Sequence, residues 1–357
     1  MTKNGWKYLI GIASLSLLSA CSLFNINENY SYTLTAQDTA MIDTLFNQTQ
    51  PYCLGRYTFQ YPQALADKIS STIIIDGMTI TSKPIFPPAF KQRLELRETE
   101  LKNEPVSDTS NAPFLKQVIK LNNGIIFDHN RDYNKPDSAR ILEAYVYIDN
   151  VFFLITTEFI DITDKKYKEE QDIFIENNWK LTKKQEKLAT MQSLITHLQG
   201  RPDNAIPTTK GVCIPYGFIL DDGDKHLEEI SILFENSQFY WAVVMDNTIA
   251  SEKESLLERA DEIKSVLYQY GGKTLRKGPI AYNHVLGEEW LVLGRDKRYD
   301  NLSDKFYYFQ YYTNEKNITY YTPSVSILMH STNKVVNYTD EQMVEIWDQI
   351  LQTFKYR

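Results

Sequence analysis

The residue types able to do chemistry in this chain of 357 residues are few and far apart. Its five histidines, His129, His197, His226, His284 and His330, form neither an HExxH nor a close pair, so their spacing gives a zinc site little support. No GxSxG elbow, Walker loop or GxGxxG follows a strand-like run. The acidic turn Asp221-Asp222-Gly223-Asp224 resembles part of a calcium loop but lacks the glutamate that would complete it. Asp and Gly together read instead as a turn. Glu288-Glu289-Trp290 sets two carboxylates beside an aromatic, yet neighbours in a strand point to opposite faces and do not form an acid/base pair. That segment reads as a solvated strand start with Trp290 in the core. Cys53 and Cys213 have no histidine in a local motif, so neither reads as a nucleophile. The expectation is a protein without catalysis, metal, cofactor or small-molecule substrate.

Cys21 is different. Lys3 and Lys7 precede an apolar run from Tyr8 to Leu18, which closes on Leu18-Ser19-Ala20-Cys21. The run is far shorter than the roughly 20 residues a transmembrane helix needs, and it has the proportions of a cleaved signal peptide. Leucine three places before cysteine, with Ser-Ala between, resembles the bacterial lipobox. The reading is a signal peptide over 1–20, acylation of Cys21, and a polar lipidated tether over 21–38. Ser22, where Asp would resemble an inner-membrane retention signal, points to the outer membrane, with the body on the periplasmic side. In that oxidising compartment Cys53 and Cys213 either form a disulfide or stay two separate buried thiols, and sequence leaves both open.

The formal charge of −8 becomes −10 once Lys3 and Lys7 leave with the signal peptide. An acidic body without a basic block excludes nucleic acid as a natural partner and disfavours adsorption to anionic lipid beyond the anchor. The remaining length of roughly 335 residues favours two domains. With 24 Tyr and 17 Phe against 14 Gly, the composition suits well-packed β-rich domains.

The elements that must position these residues follow one grammar twice. In the first half, helical spacing begins at Ala40–Phe46, and a strand covers Gly55–Tyr61. Hairpins turn at Asp76-Gly77, at Asn122-Asn123-Gly124 and at Asp149-Asn150. Pro88 opens a charged helix to about Asn103, and Lys180–Leu198 reads as a long helix that Gly200-Arg201-Pro202 stops. In the second half, Glu229–Phe234 and Phe239–Met245 read as paired strands. Glu252–Tyr270 reads as a helix with Ser251 and Glu254 at capping-box spacing. Strands are expected over Glu289–Gly294, Lys305–Tyr312 and Ser324–Met329, and a helix over Thr339–Phe354 capped by Thr339 and Gln342. The aromatic run Phe306–Tyr312 reads as a core strand covered on both faces. The fold class is α+β in two domains, 39–203 and 204–357, each a mainly antiparallel sheet with a few helices.

Two blocks resemble a known family. Cys53-Leu54-Gly55-Arg56-Tyr57 followed by Pro62 is similar to the opening of the N-terminal domain in certain type VI secretion immunity lipoproteins. Gly211-Val212-Cys213, Gly217-Phe218-Ile219 and the acidic turn leading to Glu228-Glu229-Ile230 resemble the opening of their C-terminal domain, and Gly287-Glu288-Glu289-Trp290 a further signature within it. The chain departs from the pattern at Thr58-Phe59-Gln60, where more aliphatic residues are expected. These proteins are immunity partners of the fourth class of type VI phospholipase effectors. The resemblance implies a membrane-tethered inhibitor that binds a secreted lipase and clamps its lid or active-site entrance. An envelope-assembly or scaffold lipoprotein is the alternative.

Overall fold

Twelve strands in the computed structural model form one antiparallel sheet that crosses from the first half of the chain into the second. The structure describes residues 32–269, 271–294, 305–332 and 335–357; the signal segment, Cys21 and Ser22 lie outside them. The first half contributes α1 (Ala36–Phe46), β1 (Thr49–Leu54), β2 (Tyr57–Pro62), β3 (Lys68–Ile75), β4 (Met78–Pro84), α2 (Pro87–Asn103), β5 (Leu115–Leu121) and β6 (Gly124–Asn130). It continues with β7 (Ala139–Ile148), β8 (Val151–Ile160), α3 (Lys168–Glu176), α4 (Lys184–His197) and β9 (Leu198–Gly200). The second half contributes β10 (Gly211–Ile214), β11 (Gly217–Leu220), β12 (Glu228–Glu235), β13 (Phe239–Asp246), α5 (Ala260–Gln269), β14 (Lys273–Tyr282) and β15 (Val285–Gly294). It ends with β16 (Phe306–Thr313), β17 (Ser324–Ser331), α6 (Asp340–Leu351) and β18 (Lys355–Tyr356).

The fold class is α+β as expected, but the two sheets are fused. Strand order is β14-β15-β16-β17-β13-β12-β3-β4-β8-β7-β6-β5. The join is made by β3. Its hairpin with β4 turns at Asp76 and Gly77, both at positive φ, as the sequence predicts. Yet only Ile74↔Thr79 and Ile75↔Met78 pair before the two strands part. From there β3 pairs along its whole length with β12, from Ile75↔Glu228 to Lys68↔Glu235. Two small sheets, β1-β2-β18 and β10-β11-β9, lie over the large one, and each combines strands from both halves.

The main core lies between the large sheet's inner face and these small sheets with α1, α4 and α6. Phe234 and Trp241 stack there at 4.2 Å, and Trp347 of α6 meets Phe309 edge-on at 5.8 Å. Each such fully buried side chain contributes on the order of 1.5–3 kcal/mol. On the outer face, α2 covers Phe127, Tyr145 and Phe152, and the α5 region covers Trp290 and Val292. Tyr307, Phe309 and Tyr311 of β16 are fully buried inward, while Tyr308 and Tyr312 pack outward against the Trp290 cluster, so both faces of the aromatic run are indeed covered.

Several element boundaries differ from the sequence reading. The tether stops short of Asp38: Thr35 and Asp38 form a capping box that starts α1 at Ala36, and the Asp38 side chain accepts from Gln342 of α6. Lys180–Leu198 is shortened at both ends to α4: Leu181 and Thr182 bond to the 161–162 segment, and Leu198–Gly200 leaves the helix to pair with β11. The helix expected from Glu252 begins only at Ala260. Ser251 instead accepts the amide of Ile318 and is spent on a loop. The sequence pattern gives no strand for β1, β9, β10, β11, β14 or β18 and no helix for α3. The hairpins at 122–124 and 149–150 and the Thr339–Gln342 capping box stand as expected.

Candidate functional site

The residues singled out in sequence gather in two places. The first is the seam between the halves. Gly55 turns β1 into β2 at φ 54°, a conformation favouring glycine, and an added Cβ would meet Met245 Sδ at 2.5 Å. Gly55 and Cys213 exchange backbone hydrogen bonds of 2.8 Å in both directions. Beside them Cys53 and Cys213 are joined as a disulfide with their Cα atoms 5.6 Å apart, both fully buried against Phe218. Gly211 opens β10 where a Cβ would strike the Ile219 carbonyl, and Gly217 packs closely against Phe153 and Ile214.

Arg56 follows Gly55 into the seam. Its Nη1 lies 3.0 Å from Asp221 Oδ1 and its Nη2 2.9 Å from Glu228 Oε1. Burial works against the charge of Arg56, but the pairing with Glu228 and Asp221 outweighs it and raises its pKa. For Glu228 burial wins: its carboxyl sits above the ordinary range despite Arg56. The acidic turn therefore supplies a half-buried counter-ion, Asp221, rather than a calcium loop. Asp222 faces His226, whose Nε2 is 2.9 Å from Asp222 Oδ1 and whose Nδ1 is 2.6 Å from Asp76 Oδ2. His226 thus bridges the β3–β4 turn to the segment before β12. Among the described residues no cluster of three or more His, Cys, Asp or Glu is arranged to hold a metal ion.

Arg201, which sequence reading saw only as the end of a helix, is the hub of the linker. Its guanidinium donates to the carbonyls of Pro202, Asp203, Ala205, Ile214, Gly217 and Cys53 at 2.7–3.3 Å. One side chain thus gathers six backbone carbonyls of the linker and its neighbouring strands, and burial keeps it below the usual arginine pKa. An arginine between Gly200 and Pro202, in a stretch with few backbone partners, is the signal that was available. Arg357 adds bonds to the carbonyls of Pro207 and Gly211 and lies over the Phe218 ring.

The second place is inside the second half. Glu289 is buried, which corrects the expectation of a solvated strand start. It accepts from Arg276 Nε at 2.6 Å, Trp347 Nε1 at 3.1 Å and Tyr282 Oη at 3.3 Å. Arg276 also pairs with Asp348, so α6 is tied to β14 and β15. Trp290 points the other way into the outer cluster, as expected, and donates to Thr274 at 3.0 Å. Gly287 pairs with Ile280, where a Cβ would press on the Tyr311 ring. The two places share neither partners nor an opening, so the family-motif residues assemble an architecture rather than a single reactive centre.

Comparison with known proteins gives this architecture a family. Residues 50–201 match the N-terminal domain, and residues 205–357 the C-terminal domain, of Tle cognate immunity protein 4. The chain belongs to that immunity protein family. Its fold resembles the apo structure of the immunity protein TplEi of T6SS from Pseudomonas aeruginosa, with a TM-score of 0.67 and 19% identity over 87% of this chain and 97% of that one. It also resembles the crystal structure of a Tle4–Tli4 complex, with a TM-score of 0.66 and 19% identity over 87% and 98% of the two chains. TplEi complexed with an "L" peptide gives a TM-score of 0.62 at the same identity and coverage as the complex. A search among curated proteins finds no match. For this immunity protein family member, the seam is where the N-terminal and C-terminal domain matches meet.

Proposed function

We propose that the chain is a periplasmic immunity protein, held at the outer membrane by lipid on Cys21, that binds and inhibits a type VI secreted phospholipase. The observation that carries the reading is the match of both halves, in order, to the two domains of one immunity family. Inhibition of this kind needs complementary surface rather than catalytic residues. The domains take the bounds 39–203 and 204–357, with the first turn of α1 reaching back from the first domain to Ala36. Because the sheet, the disulfide and Arg201 fix one half against the other, the body engages its target as one pre-organised surface. It restrains the lipase by straddling the lid or active-site entrance, since restricting a lid suppresses turnover without any chemical step by the inhibitor.

The test is a titration of a Tle4-class lipase with the full mature chain, reading ester hydrolysis. Stoichiometric loss of activity is expected, and full activity at saturating chain overturns the reading. Separately, Cys21→Ser is expected to release a folded body into the soluble periplasmic fraction. Retention of that variant on membranes in high salt contradicts the anchor.

A further inference from the structure

The loop over 314–323, between β16 and β17, is folded onto itself at one end of the seam. Asn314 sits at φ 63° and donates to the Pro323 carbonyl at 2.9 Å. Thr319 donates its amide to the Thr322 carbonyl at 3.0 Å, and the amides of Tyr321 and Thr322 both donate back to Thr319 Oγ1. This bonding uses the backbone, Asn314 and the threonines, and it leaves Tyr320 and Tyr321 displayed at the tip. The loop is anchored below: Asn247 Nδ2 donates to the carbonyls of His226 and Tyr320, and Tyr356 donates its hydroxyl to the Tyr321 carbonyl. Arg56 lies 5.3 Å from the Tyr321 ring centroid, and Lys225 lies 5.4 Å from that of Tyr320.

Tyr356 bonds to the tip and Leu227 follows His226 beside it, and with Tyr320 and Tyr321 these four side chains are between 37% and 46% exposed. Large side chains left in water on a rigid, hydrogen-bonded frame lose little entropy on docking, and tyrosine is among the residues that dominate interface energy. Lys225 and His226 continue this patch into a cleft of about 980 Å³ between α4 and the acidic turn. Six carboxylates line that cleft against three lysines; Arg56, His226 and Lys180 pair with five of them, which leaves Asp224 as the exposed negative charge on its turn. The apolar rim and the cleft beside Asp224 adjoin, and both halves of the chain contribute to them.

We propose that this face docks a segment of the effector bearing an apolar or aromatic tip flanked by Lys or Arg. The tip covers Tyr320, Tyr321 and Tyr356, and the cationic flank enters the cleft beside Asp224. The proposal deepens the immunity reading and rests on it. The test is calorimetric titration of the full mature chain with a Tle4-class lipase whose nucleophile has been replaced. Tyr320→Ala/Tyr321→Ala is expected to weaken binding about 30-fold or more, the range of interface hot spots. Asp224→Lys, on the exposed turn, is expected to weaken it about fivefold and to flatten its salt dependence. Tyr268→Ala, at a 91% exposed aromatic on α5, is the control and is expected to stay within twofold. A tyrosine variant that binds within threefold of the parent chain overturns the surface while leaving the immunity reading intact. Failure of the parent chain itself to bind overturns both. Co-sedimentation of the chain with phosphatidylglycerol vesicles that is lost in the tyrosine variant, with lipase binding unchanged, assigns the patch to lipid and contradicts the proposal.

Discussion

Arg56, buried, and Arg276, partly buried, are both guanidiniums gripped by two carboxylates, but they tie different things together. Arg276 holds Glu289, 13 residues away, and Asp348, 72 residues away, and so fastens a helix to the sheet of its own half. Arg56 reaches Asp221 and Glu228, 165 and 172 residues away, and fastens one half to the other. Around Arg276 the supporting contacts are a tryptophan and a tyrosine in one packed core. Around Arg56 they are a disulfide, a carbonyl-gathering arginine and a shared β-ladder. The seam therefore carries the coupling between halves, and the inner cluster carries the stability of one of them.

The largest effect is expected from opening the seam's covalent link. Cys53→Ala/Cys213→Ala removes a cross-link spanning 160 residues, worth about 5 kcal/mol at most on the chain-entropy account. Denaturant unfolding of the two forms measures the difference. A loss under about 1 kcal/mol means that the ladder and the arginines already couple the halves without it.

Next come the arginines themselves. Arg56→Met and Arg276→Met each strand a buried carboxylate, and a cost of about 3–5 kcal/mol is expected for either. The comparison predicts different shapes for the same loss. Arg276→Met should keep a single calorimetric transition at lower temperature, whereas Arg56→Met should broaden or split it. Identical single transitions in both variants erase the distinction between the clusters.

The smallest effects are in pH dependence, where two histidines should pull in opposite directions. At the seam, burial disfavours the charge of His226, but its hydrogen bonds to Asp222 and Asp76 prevail and raise its pKa. Its stabilisation is complete below about pH 6.5 and is lost as pH rises through the raised value. On β17, burial lowers His330 to about 4, only partly opposed by its bond to the Ser331 carbonyl. That contribution is complete above about pH 6.5 and is lost as pH falls towards 4. Melting temperatures from pH 4 to 9 check this against His226→Gln and His330→Gln. The first should flatten the alkaline limb by about 1 kcal/mol, the second the acid limb. The same limb flattened in both contradicts the assignment.

Local chemistry was legible in the sequence and long-range pairing was not. Asp76-Gly77 and Asp149-Asn150 announce turns because few residue pairs accept two successive positive φ values, and Thr339 with Gln342 announces a cap. Nothing local in Lys68–Ile75 says that this strand leaves its hairpin partner for a strand some 160 residues later. Its isoleucines at 73 and 75 face a core under either pairing. Cys53, Gly55, Arg56, Gly211, Cys213 and Gly217 were recognisable as a set by resemblance, and the structure gathers them at the seam, while Gly287 lies apart in β15. Arg201, Arg276 and Asp348 escaped notice because a buried charge is indistinguishable from a surface charge until its partners are known. The exposed pair Tyr320-Tyr321 escaped for the converse reason, since tyrosines in a β-rich chain read as packing.

The fused sheet is the claim on which the coupling rests, and native-state hydrogen exchange along β3 and β12 tests it most directly. The amides that close the ladder around Ile73↔Ile230 and Ser71↔Ile232 should exchange only through one shared opening, with the same free energy and the same denaturant dependence on both strands. Exchange from β3 at a lower free energy, while β12 stays protected, would mean that the halves are separate bodies in contact, and would contradict the account.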